Sequence, residues 1–141
     1  MPAPEEVSYR LRLVLGFLEE ARQDFNLERW RSCVDNSQLA TENAAKAVLA
    51  LLGPVGRTHN PSLLLREALA EGEFPLEISS QVERLAECAE LLGPDIHVQS
   101  DYGDEAGGLT PWELFDRDTA RQALGIAEEV AELSQQLLTK S

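Results

Sequence analysis

Apolar positions along the chain recur in alternating steps of three and four, the spacing of helices that bury one face. The pattern is plainest in WRSCVDNSQLATENAAKAVLALLG, residues 30–53. It predicts a helix that reaches Leu52 and stops at Gly53-Pro54. The inward seam of this helix is apolar at its ends and small or polar in its middle: Trp30, Val34, Ser37, Thr41, Ala44, Val48 and Leu51.

The same spacing predicts three other long helices and one short one. Asn26 is expected to end the first helix and to cap the second, which would start near Leu27. Asn60-Pro61 is expected to open the short helix, which ends at Gly72. The sequence therefore predicts a single domain over residues 1–141, an all-α, up-and-down four-helix bundle with an additional short helix. The predicted helices span residues 4–25, 27–52, 61–72, 76–92 and 118–138.

Residues 93–109 show neither helical nor strand periodicity, which predicts a long loop. After it, Thr110-Pro111-Trp112-Glu113 has the pattern of a capping box with proline at the first helical position. Trp112 and the nearby Phe115 are expected to serve packing or dimer contacts.

The net charge of −13 bears on possible partners, because ten Arg and two Lys face 25 acidic residues. Long nucleic acid is a disfavoured ligand, since its binding needs a basic face. No apolar run approaches the ~18 residues of a membrane span, and the N-terminus lacks a secretory signal. We therefore expect a cytoplasmic protein without membrane contact, in which Cys33 and Cys88 are buried thiols.

Metal and nucleophile chemistry lack the residues they need. The chain has only two histidines, His59 and His97, with no HExxH, no cysteine pair at zinc spacing and no Glu-x-x-His for a di-iron site. No local signature supports a nucleophilic triad. The sequence thus predicts no metal, no cofactor and no self-contained hydrolase.

Two groups of polar residues are candidates for binding. The first combines a pair on the central helix with two residues of the loop that follows it. Glu42 and Lys46 are four apart on the central helix, either as a partly buried ion pair, with Lys46 reaching a loop or another helix, or as a solvated surface pair. Arg57 and His59 share the following loop, where they could receive a phosphate. Alternatively, His59 braces the third helix.

The acidic segment DYGDE, residues 101–105, is the second group. Tyr102 is expected to anchor the loop by docking onto the bundle with its hydroxyl in solvent. Asp101 and Asp104 flank this tyrosine and are candidate site residues with it.

These pieces together resemble the HEPN domain family, helical domains often paired with minimal nucleotidyltransferases in prokaryotes. The family's signature helix carries an A-x-E-x-A-x-K-A core, which here is Ala40-Thr41-Glu42-Asn43-Ala44-Ala45-Lys46-Ala47. A later loop, a histidine and a leucine-rich short helix match His59 and residues 63–65. An aromatic residue and a D-x-A-x-x-A-L motif match Phe115 and residues 118–124.

The chain departs from the family in two places. The family's loop motif Arg-Tyr-Pro-Asp is here Asp101-Tyr102-Gly103-Asp104, so a cationic contact is replaced by an anionic one. Family ribonucleases carry an Arg followed after four to six residues by a His, and no Arg of this chain precedes a His at that spacing.

The resemblance implies a non-catalytic, homodimeric domain that binds a small nucleotide, a minimal nucleotidyltransferase partner, or both, in a toxin–antitoxin-type pair. The residues expected at the nucleotide are Glu42, Lys46, Arg57, His59, Asp101, Tyr102 and Asp104. Two alternatives stay open. One is a degenerate ribonuclease acting as a homodimer, with His59 or His97 as general acid or base. The other is a structural helical adaptor.

Overall fold

The computed structural model describes residues 3–139, which form six helices of nine residues or more and one single-turn helix. No β-strand occurs within these residues. The predicted all-α bundle is confirmed, but three shorter helices accompany its four long ones. In chain order the helices are α1 (Ala3–Asn26), α2 (Trp30–Leu49), α3 (Pro61–Ala70), α4 (Leu76–Leu91), α5 (Pro94–Tyr102), α6 (Pro111–Leu114) and α7 (Arg117–Thr139).

Helix α2 lies at the centre of the fold and contacts each of the other six helices. Residues 40–50 are all buried, so this half of the helix has no solvent face. Its small side chains Ala40, Ala44 and Ala47 are fully buried and let neighbouring helices approach closely. The stripes predicted on the other long helices supply much of the remaining core: Val14, Leu18, Val82, Leu85, Ala127 and Val130.

The start predicted for α2 was wrong by three residues, because the chain reverses in a turn that contains no glycine. Asn26 is the last residue of α1, and Glu28 has a left-handed φ of 60°. The Arg29 amide donates to the Asp24 carbonyl at 2.8 Å, and the Glu28 amide to the Phe25 carbonyl at 3.1 Å. These two bonds form a Schellman motif, which normally favours glycine at the left-handed position. Helix α2 also ends earlier than predicted, at Leu49.

The predicted loop over residues 93–109 was also wrong, since α5 occupies its first part. Gly93 and Pro94 end α4 as predicted, but Pro94 then opens the new helix at its first position. Polar bonds to α2 hold α5 in place. Ser100 is fully buried and donates to Asp35 at 3.0 Å, and the Arg31 guanidinium donates to the Ser100 carbonyl.

Gly103 lets the chain turn away from α5. Its φ is +73°, and a Cβ there would collide with the backbone of Leu109 and Thr110. Asp104 and Leu109 then pair through two backbone hydrogen bonds of 2.8 and 2.9 Å. The predicted capping box is confirmed, with the Thr110 hydroxyl and the Glu113 carboxylate each accepting from the other residue's amide.

Other predictions at the level of single residues had mixed outcomes. Cys33 and Cys88 are buried free thiols, as predicted. Phe115 packs in the core, as predicted; Trp112 is 73% exposed, and a dimer contact through it stays a prediction. Within residues 3–139, no helix combines the length and apolarity required to cross a bilayer.

Candidate functional site

A row of polar side chains runs along the buried half of α2. Gln38, Glu42 and Lys46 are one turn apart, so they stack on one face, and each is less than 8% exposed. Lys46 Nζ lies 3.2 Å from Glu42 Oε2, and Gln38 Nε2 donates to Glu42 Oε1 at 3.3 Å. The predicted burial of the Glu42–Lys46 pair is confirmed, but the prediction that Lys46 reaches a loop or another helix was wrong, because its ammonium pairs with the acid of its own helix.

Two histidines from distant parts of the chain meet above this row. His59, in the loop before α3, places Nδ1 3.3 Å from Glu42 Oε1. His97, on α5, places Nδ1 3.2 Å from Gln38 Oε1. The two rings stack with centroids 4.9 Å apart and an interplanar angle of 16°. No pattern in the sequence indicates that these two histidines are neighbours.

The hydrogen bonds select one tautomer for the neutral form of each ring. The Glu42 carboxylate can only accept, so His59 Nδ1 must carry the hydrogen. The Gln38 amide nitrogen donates to Glu42, which turns its oxygen towards His97 and makes His97 Nδ1 the donor as well. Each neutral imidazole therefore presents an unprotonated Nε2 away from α2.

A pocket of about 330 Å³ opens beside this network. Arg10 of α1, Lys46 and the loop residues 55–59 line it. Glu6, which is buried, holds the loop by accepting from the Val55 amide at 3.3 Å, and also lies 3.5 Å from the Arg10 guanidinium. Arg10 further donates to Asn43 at 3.2 Å.

The pocket has a cationic excess. Arg10 and Lys46 face the carboxylates Glu6 and Glu42, while Arg57 is exposed and forms no ion pair with any acid of residues 3–139. Such a free guanidinium at the mouth of a pocket can bind an anion in a bidentate geometry.

The remaining predicted site residues lie elsewhere. Asp101, at the end of α5, pairs with Arg31 at 3.1 Å. Asp104 accepts a hydrogen bond from the Gly107 amide. Tyr102 is 66% exposed, so the prediction that it docks onto the bundle was wrong. These three residues are outside the lining of the Lys46 pocket in the described part of the chain.

Sequence reasoning missed Arg10, Gln38 and the pairing of His97. Gln38 had a usable signal, because it continues the four-residue spacing of Glu42 and Lys46 on the same helix. Arg10 flanks the apolar stripe of α1, a position from which a long cation can reach the neighbouring helix. Among residues 3–139, no group of three or more His, Cys, Asp or Glu side chains is arranged to hold a metal ion.

Comparison with known proteins decides the family. The profile of the HEPN domain matches residues 8–137, nearly the whole chain. The chain belongs to the HEPN domain family. Among solved structures, this HEPN domain is similar to TT1696 from Thermus thermophilus, with a TM-score of 0.68 and 17% identity over 97% of this chain and 99% of that one. This likeness concerns the fold. No curated protein matches the HEPN chain.

Proposed function

We propose that this HEPN domain binds a small nucleotide through its phosphate in the Lys46 pocket and catalyses no reaction itself. The observation that carries the proposal is the convergence of Arg10, Lys46 and Arg57 on one pocket of a protein with a net charge of −13. Phosphate oxygens match guanidinium donors geometrically, and a buried ammonium adds a fixed positive charge.

The size and setting of the pocket favour a small ligand. Its volume of about 330 Å³ is at the low end for ligand pockets. A polynucleotide would bring many phosphates against an acidic surface, whereas a mononucleotide needs only this local cluster. The free Nε2 atom of His59, which lines the pocket, could accept a hydrogen bond from a ribose hydroxyl or a base amine.

The family also suggests the biological setting. We propose that the domain forms a homodimer and acts in the cytoplasm with a minimal nucleotidyltransferase, in a toxin–antitoxin-type pair. The HEPN domain would orient the nucleotide, and its partner would supply the catalytic acids. Co-purification of the two proteins would test the pairing.

Titration calorimetry with AMP, ATP and GTP tests the nucleotide site. Arg57→Ala should weaken binding about tenfold, which corresponds to about 1.4 kcal/mol for one lost charge-assisted contact. Because Arg57 is exposed and unpaired with any described acid, the variant should fold normally. Arg12→Ala, at an exposed position of α1, is the matched control and should bind like the wild type. Absence of heat and of thermal shift with every nucleotide would contradict the proposal, as would equal losses in both variants.

The stacked histidines favour one alternative, a degenerate ribonuclease. Two adjacent imidazoles with fixed tautomers are suited to general acid–base chemistry on a phosphodiester. Purified protein would then cleave RNA, and both His59→Ala and His97→Ala would abolish cleavage. Cleavage that survives both substitutions would come from a contaminant and would exclude this function.

A further inference from the structure

A second concave surface lies at the end of the bundle where α2 and α3 end and α4 begins. It is a groove of about 500 Å³, lined by Leu52, Phe74 and Ile78 and flanked by Glu73 and Glu77. A smaller pocket of about 250 Å³ adjoins it and shares Leu52 and Glu73 with it. We call the two together the acidic groove.

Apolar side chains are unusually exposed around the acidic groove. Leu76, the first residue of α4, is 90% exposed, and Leu52 and Leu64 are 41% and 38% exposed. Leu52 and Leu64 line the groove, and Leu76 lies in the chain between the lining residues Pro75 and Glu77. Single exposed leucines are ordinary, but several at one concave surface are typical of an interaction site. Leu76 contributes little to the core, so the bundle does not need an apolar side chain there.

Four exposed carboxylates surround these leucines: Glu67, Glu71, Glu73 and Glu77. None of them forms an ion pair with a cation of residues 3–139. Other acids on the same helices are neutralised, as Glu90 is by Arg66 at 2.8 Å. The acidic groove is therefore an apolar surface inside uncompensated negative charge.

We propose that the acidic groove binds a basic amphipathic segment of a partner protein. Leucine-like side chains of the segment would enter the groove beside Leu52, and flanking Lys or Arg residues would pair with the four carboxylates. Burial of the apolar faces supplies affinity, and the charges supply orientation and a fast association rate. This site uses carboxylates and leucines and not Arg57 or Lys46, and it adjoins the nucleotide pocket at Val55 and Gly56, which line both the smaller pocket of the groove and the Lys46 pocket.

The charges argue against two other occupants. Symmetric contact with a second copy would place the same four carboxylates against each other, which is costly. A nucleic acid would bring phosphates to an anionic surface. A cationic protein segment is the ligand whose charge and apolar content both match.

Peptide titration followed by NMR of isotope-labelled protein tests the proposal. The probe is a synthetic helical peptide with Leu at i, i+3, i+4 and i+7 spacing and Lys elsewhere. We expect shifts confined to the acidic groove, and at least about tenfold weaker binding when salt rises from about 0.05 M to about 0.5 M. The same peptide with Ser in place of Leu should bind more weakly by at least about tenfold.

Charge reversal provides the specific control. Glu73→Lys/Glu77→Lys should lose the Leu/Lys peptide and gain a Leu/Glu peptide of the same spacing. Glu20→Lys/Glu105→Lys changes the net charge equally at exposed positions outside the groove and should retain the Leu/Lys peptide. Thermal melting checks that all variants fold.

Three outcomes would overturn the proposal. The Leu and Ser peptides could bind equally, which would mean unspecific attraction to an acidic protein. Both charge-reversed variants could lose binding equally, which would also mean that the peptide responds to the overall acidity of the protein and not to the groove. Sedimentation could show a dimer that Leu76→Ser converts to a monomer, which would make a second copy the occupant. None of these outcomes would affect nucleotide binding measured through Arg57→Ala.

Discussion

The buried pair Glu42–Lys46 allows a quantitative test of the polar row in α2. Lys46→Met keeps most of the apolar stem and removes the ammonium, leaving the Glu42 carboxylate 4% exposed without its lysine. Removing one member of a buried ion pair costs about 3–5 kcal/mol. Glu42 keeps Gln38 and His59 as donors, so we expect the lower end, about 3 kcal/mol.

Urea and thermal unfolding followed by circular dichroism measure this cost. At about 3 °C per kcal/mol for a domain of this size, the melting temperature of Lys46→Met should fall by about 9 °C. The double variant Lys46→Met/Glu42→Gln should lose about 1–2 kcal/mol less of the free energy of unfolding than the two single variants lose together, because no unpaired charge remains in it.

Arg66→Met is the matched control, because it breaks an exposed pair with Glu90 and should cost below about 1 kcal/mol. A Lys46→Met loss no larger than that of Arg66→Met would refute the reasoning, as would strictly additive losses in the Lys46/Glu42 cycle. Either result would mean that water reaches the pair and screens it. The pair would then be no more than a surface contact.

Three other predictions follow from the backbone and the thiols. Burial raises the pKa of Cys33 and of Cys88 from 9.0 to about 11. Mass spectrometry should therefore show that iodoacetamide leaves both thiols unmodified in the folded protein at about pH 8 and labels both in urea. The free energy of unfolding should fall as pH rises from about 9 towards 11, because only the unfolded thiols ionise in that range. Glu28→Gly should be more stable than Glu28→Ala by about 1 kcal/mol in the free energy of unfolding, and should therefore unfold at a higher urea concentration. Both variants lose the same side chain, and only glycine relieves the left-handed backbone. Equal urea midpoints would contradict this account of the turn. In the same assay, Gly103→Ala should lower the free energy of unfolding by roughly 2 kcal/mol or more. Gly125→Ala, in open space on α7, should raise it by about 0.5–1 kcal/mol. Similar effects at the two sites would count against the turn geometry.

The sequence predicted the long helices because their apolar residues repeat with the helical period. It failed at α5, whose apolar residues do not gather on one face and whose attachment depends on Ser100, Asp35 and Arg31. It failed at the α1–α2 turn because Glu28 occupies a conformation that usually marks itself by glycine. In both places tertiary contacts override the local pattern.

The candidate site was predictable only as far as it lies within one helix. Glu42 and Lys46 were found through their spacing, and Arg57 and His59 through their shared loop. His97 and Arg10 come from α5 and α1, and no sequence period connects them to α2. Asp101, Tyr102 and Asp104 were placed at the nucleotide by resemblance, but the end of α5 and the turn that follows it hold them outside the lining of the Lys46 pocket.

The central position of α2 also determines how the domain opens. Since every other helix contacts α2, no subset of helices can leave together without uncovering it. Amide hydrogens of residues 40–50 should therefore exchange only through global unfolding, with protection equal to the full stability of the domain. Lys46 belongs to this slowest-exchanging segment, so a ligand bound through its ammonium would slow exchange throughout the core rather than only around the pocket.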